Sequence, residues 1–239
     1  MKAWGESHVG QVRKLNEDSF FIQISPDGIA GYFVVCDGMG GAKAGDVASR
    51  LATRAFARVM DAATEKKLAE RVRDAMQSAN TDVWQHSKDS PDLEGMGTTM
   101  VCMAADKSEL VIGNIGDSRA YLIDEEGIRQ ITQDHSLVGE MLERGELTPY
   151  QAQRHPSRNV ITRAIGVGSR VTCDIFQVPR KDGQYILLCT DGLTGEVSEP
   201  EIYYEVFQSD LPEKACQTLI EIANSRGGHD NITVVLVAL

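Results

Sequence analysis

The stretch Val34-Val35-Cys36-Asp37-Gly38-Met39-Gly40-Gly41 constrains the fold of this chain more than any other. An apolar, β-branched run reads as a buried strand, and this one stops at a carboxylate followed by three glycines. Glycine reaches positive φ and leaves space for a ligand, so the main chain can turn sharply beside whatever Asp37 holds. A carboxylate at a strand end beside exposed backbone suits a cation; taken alone, it suits water equally well. Two commoner Gly-rich turns are excluded. The dinucleotide fingerprint G-x-G-x-x-G would need glycine where Lys43 stands, and a phosphate-cradling P-loop would need Lys and Ser/Thr where the chain has Asp46-Val47.

The neighbouring segments frame this strand. Asn16-Glu17-Asp18 leads into a second strand candidate at 19–24, and Pro26-Asp27-Gly28 is a turn signal. A hairpin should therefore bring Glu17, Asp18 and Asp37 to neighbouring strand ends. Ala48, Leu51, Ala52, Ala55, Phe56 and Val59 recur at helical spacing, as do Leu68, Val72, Ala75, Met76, Ala79 and Val83. Two long amphipathic helices packed antiparallel are expected. From Gly97 the period becomes strand-like, and 98–104, 110–115, 119–123 and 128–132 read as an antiparallel meander. Segment 134–168 is polar and carries the capping box Thr148-Pro149-Tyr150-Gln151, which predicts a mobile helical excursion over one end of the sheets. Strands resume at 171–178 and 184–190, the second ending in Thr190-Asp191-Gly192. Ser198-Glu199-Pro200-Glu201 caps a short helix, Asp210 opens another through Cys216, Leu219 and Ala223, and a buried last strand at 232–239 follows Gly227-Gly228-His229-Asp230-Asn231. No repeat or low-complexity linker interrupts the chain, so residues 1–239 are expected to form one domain.

At 239 residues, with 42% hydrophobic and 25% charged side chains, the chain can bury a large core. A net charge of -11 argues against nucleic acid or an anionic membrane as a partner and suits a cation site. No apolar run reaches the ~18 residues that span a bilayer, and the first residues lack a signal-peptide core; a cytoplasmic protein is expected. The cysteines Cys36, Cys102, Cys173, Cys189 and Cys216 are odd in number and form no C-x-x-C, which points to buried free thiols.

Four aspartates share one context. Asp37, Asp117, Asp191 and Asp230 each sit at the edge of an apolar run with a glycine within two residues, and Glu17-Asp18 joins them. If their strand ends converge, the charge requires cations between them. All-oxygen ligation selects Mg²⁺ or Mn²⁺. The scattered His8, His86, His135, His155 and His229 argue against zinc, and no EF-hand loop is present. Two such ions roughly 3.5–4 Å apart can activate a water and clamp an in-line displacement, the chemistry of phosphoester hydrolysis. Arg13, just upstream of Asn16-Glu17-Asp18, is placed to hold the phosphate bidentately. His135-Ser136 could suggest a nucleophile pair, but no G-x-S-x-G elbow surrounds Ser136, and a loop contact is the plainer reading.

Taken in order, Arg13-x-x-Asn16-Glu17-Asp18, Asp37-Gly38-Met39-Gly40-Gly41, Gly97-Thr98-Thr99, Gly116-Asp117-Ser118-Arg119, Thr190-Asp191-Gly192 and Asp230-Asn231 resemble the metal-dependent type 2C protein serine/threonine phosphatases in their bacterial form. The resemblance covers essentially the whole chain. It implies an α+β fold, a four-layer α-β-β-α sandwich of two antiparallel sheets flanked by antiparallel helix pairs, with 134–168 as the flap that contributes to substrate recognition. It implies catalysis by Arg13, Asp37 and Asp191, with Arg13 also binding substrate. Asp37 would bridge two metals, the Gly38 carbonyl would bind one, Asp191 and Asp230 the other, and Glu17 would act through a water. A third Mn²⁺ or Mg²⁺ would be held by Asp117 and Asp191, within reach of Asn159. Where animal members carry a histidine after Asp-Gly this chain has Met39, so a metal-bound water near Asp117 becomes the expected proton donor. The implied partners are phosphoprotein substrates and an opposing serine/threonine kinase, and the implied state is a monomer. A catalytically silent phospho-binding regulator and a small-metabolite phosphatase are the alternatives; the first is disfavoured because no metal-position aspartate is lost.

Overall fold

The computed structural model describes residues 1–40, 44–62, 65–89, 91–208 and 211–239. Gly41 of the glycine turn and Asp210, expected to open the last long helix, lie outside them. In chain order the elements are β1 (Lys2–His8), β2 (Asp18–Ile24), β3 (Gly31–Met39), α1 (Ala44–Asp61), α2 (Leu68–Asp89), β4 (Gly97–Thr98), β5 (Met100–Ala105), β6 (Leu110–Ile115), β7 (Arg119–Asp124) and β8 (Gly127–Gln130). Then follow α3 (Leu137–Glu143), α4 (Pro149–Gln153), β9 (Asp174–Val178), β10 (Tyr185–Cys189), α5 (Asp191–Thr194), α6 (Glu199–Tyr203), a π turn (Tyr204–Gln208), α7 (Pro212–Ser225) and β11 (Ile232–Ala238).

One sheet has the order β1-β11-β10-β7-β8 and the other β2-β3-β5-β6-β9, with β4 paired to β3. Every pairing is antiparallel. Alternation along β3 shows how the layers form: Phe33 and Val35 face the other sheet, where they meet Ala120, Leu122, Ile186, Leu188 and Val235. Val34 and Cys36 face the opposite way, onto Ala48, Ala52 and Phe56 of α1 and Val72, Met76 and Ala79 of α2. Each such buried side chain contributes roughly 1.5–3 kcal/mol. Arg71, near the start of α2, donates to the carbonyl of Met60 near the end of α1 at 2.6 Å, which fastens the connection between the two helices. On the far side Leu219, Ile220 and Ala223 of α7, with Ile202 of α6 and Val206, cover Tyr121, Leu187, Cys189, Val234 and Leu236. The result is the expected four-layer sandwich.

Three expectations need correction. The four segments after Gly97 do not form one meander: β5 and β6 lie in one sheet, β7 and β8 in the other, and the turn at Gly116 crosses between them. Local spacing cannot distinguish a hairpin from a crossover of that length. The strand expected at 98–104 is interrupted at Thr99, where the Asp37 N–H donates to the Thr99 hydroxyl at 2.9 Å instead of to a carbonyl. Finally, β1 was not foreseen; its side chains carry no apolar alternation, and β11 holds it at the sheet edge through a full register from Lys2↔Ala238 to His8↔Ile232. All five cysteines are free, and all but Cys173 are buried.

Candidate active site

Sheet register places the first two carboxylates. Asp18 and Asp37 are direct partners across β2 and β3, and both side chains leave the ladder at the same end. The Asp37 main chain is held by Thr98 and Thr99, whose hydroxyl and N–H donate to its carbonyl at 2.8 Å each. Gly38 has no room for a side chain: a Cβ there would lie 2.1 Å from the Gly45 carbonyl oxygen and 2.5 Å from that of Glu17. This close approach, with the Gly38 N–H donating to the Glu17 carbonyl at 3.1 Å, is why glycine follows Asp37.

The other sheet supplies Asp191 and Asp230. Asp191 opens α5 directly after β10, and Asp230 immediately precedes Asn231 and β11, which is the neighbour of β10. Asp117 lies on the turn between β6 and β7. Asp18 ties the sheets together, because the hydroxyls of Thr190 and Thr233 donate to its Oδ2 at 3.0 and 2.7 Å. Its Oδ1 is buried and has no hydrogen-bond partner.

Electrostatics shows that the strand ends converge. Asp37 keeps an opening to solvent, yet its pKa is pushed well above the carboxylate range, first by lost hydration and then by Asp18, Asp191, Asp117 and Asp230 in turn. Burial raises Asp18 to about 7 despite its threonine donors. Burial and the charges of Asp191 and Asp134 raise Asp117 to about 7 as well. Asp191 is raised by burial and by Asp230, a rise opposed by a hydrogen bond shared with Asp37. Glu17 is raised by burial, against the attraction of Arg13. Five aspartates and one glutamate thus share a field that none of them balances.

Arg13 is exposed, and its Nη2 donates to Asp230 Oδ2 at 2.7 Å. Asn231 is buried and connects the same parts: its Nδ2 donates to the Val9 and Leu15 carbonyls at 2.9 Å each, and its Oδ1 accepts from the Glu17 N–H at 2.8 Å. Residues 9–17, including Arg13, are thereby fastened beside Asp230. Neither Asp18 nor Asn231 was assigned a role from sequence, although both stand within the recognised motifs; their signal was adjacency to Glu17 and Asp230.

Asp117, Asp191 and Asp230 line a cavity of 890 Å³ that runs between segment 136–159 and residues 194–199. Arg154, Arg158 and Asn159 lie on its first wall, Glu196, Glu199 and His229 on its second. Among the described residues, no three His, Cys, Asp or Glu side chains are gathered tightly enough to wrap an ion as they stand; the guanidinium of Arg13 meets part of the charge instead. The donor set nonetheless fits a hard dication: it is all oxygen, half-buried and mutually repelling, and the neighbouring Asp18 keeps a buried carboxylate oxygen without a partner.

Comparison with known proteins finds matches over nearly the whole chain. A family model described as protein phosphatase 2C matches residues 4–224. The serine/threonine phosphatase stp of Listeria monocytogenes is 42% identical over 234 residues, spanning 95% of this chain and 92% of that protein. Among solved structures, the serine/threonine phosphatase Stp1 from Staphylococcus aureus superposes with a TM-score of 0.92 at 36% identity, covering 100% of this chain and 94% of that one. The catalytic domain of the serine threonine protein phosphatase PstP, in complex with 2 manganese ions, superposes with a TM-score of 0.84 at 32% identity over 98% of this chain and 96% of that one.

Proposed function

The chain belongs to the protein phosphatase 2C family and is a serine/threonine protein phosphatase of the bacterial kind, and from that premise we propose which of its residues do the work. Asp37, the Gly38 carbonyl, Asp191 and Asp230 would hold two divalent ions, Mn²⁺ or Mg²⁺, with Asp37 serving both and Glu17 acting through water. Asp117 and Asp191 would hold a third. Bound there, the ions supply Lewis acidity and a water nucleophile at neutral pH.

The remaining work belongs to protein groups. Arg13 binds the phosphate. Its present partner is Asp230; once parted from that carboxylate, the guanidinium can form a fork on two phosphate oxygens. Asp18 holds the two sheets in register through Thr190 and Thr233, which keeps Asp37 opposite Asp191. Met39 cannot give a proton to the departing serine or threonine oxygen, so the neighbourhood of Asp117 provides it. The cavity beside the cluster is much larger than a phosphate needs, which suits a folded or extended phosphoprotein more than a small metabolite. Residues 134–168 serve as the flap over it, on one catalytic domain spanning 1–239. We place the enzyme in the cytoplasm as a monomer that reverses a serine/threonine kinase; no described helix is long and apolar enough to cross a membrane.

The observation that carries this reading is the convergence of Asp18, Asp37, Asp117, Asp191 and Asp230: the first two pair across one sheet, Thr190 and Thr233 tie Asp18 to the other, and the last three line one cavity. Hydrolysis of a phosphothreonine peptide with Mn²⁺ and with excess chelator tests it. Activity that persists undiminished in the chelator would end the proposal.

A further inference from the structure

Asp117 sits on the turn between β6 and β7, where neither sheet enforces its geometry. Gly116 has a φ of 106°. A Cβ there would lie 2.6 Å from Thr99 Cγ2, so the turn is pressed against the residue that holds Asp37. Something must fix that turn, and the residues that do so come from the start of the flap.

His135 is 4% exposed and grips Gly116 from both sides. Its backbone N–H donates to the Gly116 carbonyl at 2.9 Å, and the Gly116 N–H donates to its Nδ1 at 3.1 Å. An Nδ1 that accepts a backbone proton leaves the ring proton on Nε2, where it donates to Asp174 Oδ2 at 3.0 Å. Arg163 Nη1 lies 3.1 Å from Asp174 Oδ1 and donates to it, and it is 3.1 Å from His135 Nε2 as well. On the other side of Asp117, Asp134 takes Arg119 in a fork, with Nε donating at 2.9 Å and Nη2 at 2.7 Å. The dipeptide Asp134-His135 therefore closes on Gly116 and Arg119, the two flanks of Asp117. The His135 carbonyl also accepts from the Thr162 N–H at 2.8 Å, which joins the returning end of the flap to the backbone of the same residue.

We infer that His135 is a positioning residue for Asp117: its imidazole holds the Gly116-Asp117 turn against Asp174, and its backbone ties that turn to the returning root of the flap. The inference rests on the role given to Asp117 above. It explains a histidine that has no part in phosphate or ion binding and yet is buried at the site. A ring whose two nitrogens are both committed to fixed partners is a bracket, and its value lies in geometry.

Two conservative variants separate the nitrogens. Asparagine carries an oxygen near the place of Nδ1 and keeps an acceptor for Gly116; glutamine carries its amide near Nε2 and keeps only the link to Asp174. In metal-free protein, amide hydrogen exchange at Gly116 should be slow in the wild type and His135→Asn and faster by about tenfold or more in His135→Gln. With Mn²⁺ and phosphopeptide, His135→Gln should lower kcat by about tenfold with KM changed less than about twofold, and His135→Asn should restore most of the loss. In an Asp117→Ala background, His135→Gln should cost less than about twofold more, because coupled residues do not add. An unchanged exchange rate at Gly116 in His135→Gln would overturn the inference, as would an equal loss of kcat with and without Asp117. If wild-type protein fails to hydrolyse the peptide, the proposed function falls, and Gly116 exchange still decides whether His135 holds the turn.

Discussion

Asp37 and Asp117 face the same cluster and are held there by different means. Asp37 lies near the end of a strand buried on both faces, paired to Asp18 by register and fixed by Thr98 and Thr99. Asp117 stands on a crossover between sheets and depends on side chains that arrive from a separate segment. The first arrangement is rigid because moving it means breaking a ladder. The second rests on hydrogen bonds with Asp134 and His135, outside any ladder.

The largest effect should come from breaking the fixed half. Asp37→Asn is expected to lower kcat by more than about a thousandfold, since the shared ligand is lost. The same change removes a charge opposed by four others, so the metal-free variant should melt no lower than wild type in a calorimetric scan. A variant that turns over like wild type would erase the distinction between the two carboxylates. Asp117→Ala should instead slow turnover by about ten- to a hundredfold while the central pair still binds Mn²⁺, as read by calorimetric titration.

Arg13→Ala comes next, with KM for phosphopeptide raised about tenfold and kcat changed less, the pattern of lost ground-state binding. Asp18→Ala tests how the fixed half is held. It leaves the hydroxyls of Thr190 and Thr233 without their acceptor and should destabilise the protein by ~1–3 kcal/mol in denaturant melts. Asp18→Asn keeps an acceptor and should lose less.

The smallest effect is a pH dependence. Asp18 and Asp117 are both pushed up to about 7 from 3.8, so the folded chain binds their protons more tightly than the unfolded chain. The stability they contribute without divalent ions is therefore fully present below pH 3.8 and is lost as pH rises through about 7. In chelator, the melting temperature should fall across that window, and the slope should shrink in Asp117→Asn. Adding Mn²⁺ below pH 7 should release protons. A melting temperature independent of pH in both proteins would mean that the carboxylates do not press on one another.

What could be read from residues alone follows the same division. The strand carrying Asp37 was legible because β3 is apolar from Tyr32 to Cys36, and 110–115 coincides with β6 because both faces of that strand are buried. The carboxylate set was legible because each member repeats one local pattern, an apolar run, an aspartate and a glycine. Strand β1 was not, because Lys2–His8 is an edge strand that β11 supports from across the chain. Nor was the crossover at Gly116, since which sheet β7 joins is decided by β10, some 65 residues later. His135 read as a loop contact for the same reason: its partners, Gly116 and Asp174, are far from it in sequence.

The central claim is that oxygens from both sheets meet around divalent ions. Anomalous diffraction from a crystal soaked in Mn²⁺ tests it most directly. Two strong peaks bridged by Asp37, one of them bound also by Asp191 and Asp230, are the predicted result. Manganese found only at surface carboxylates, with Asp230 still paired to Arg13, would contradict it.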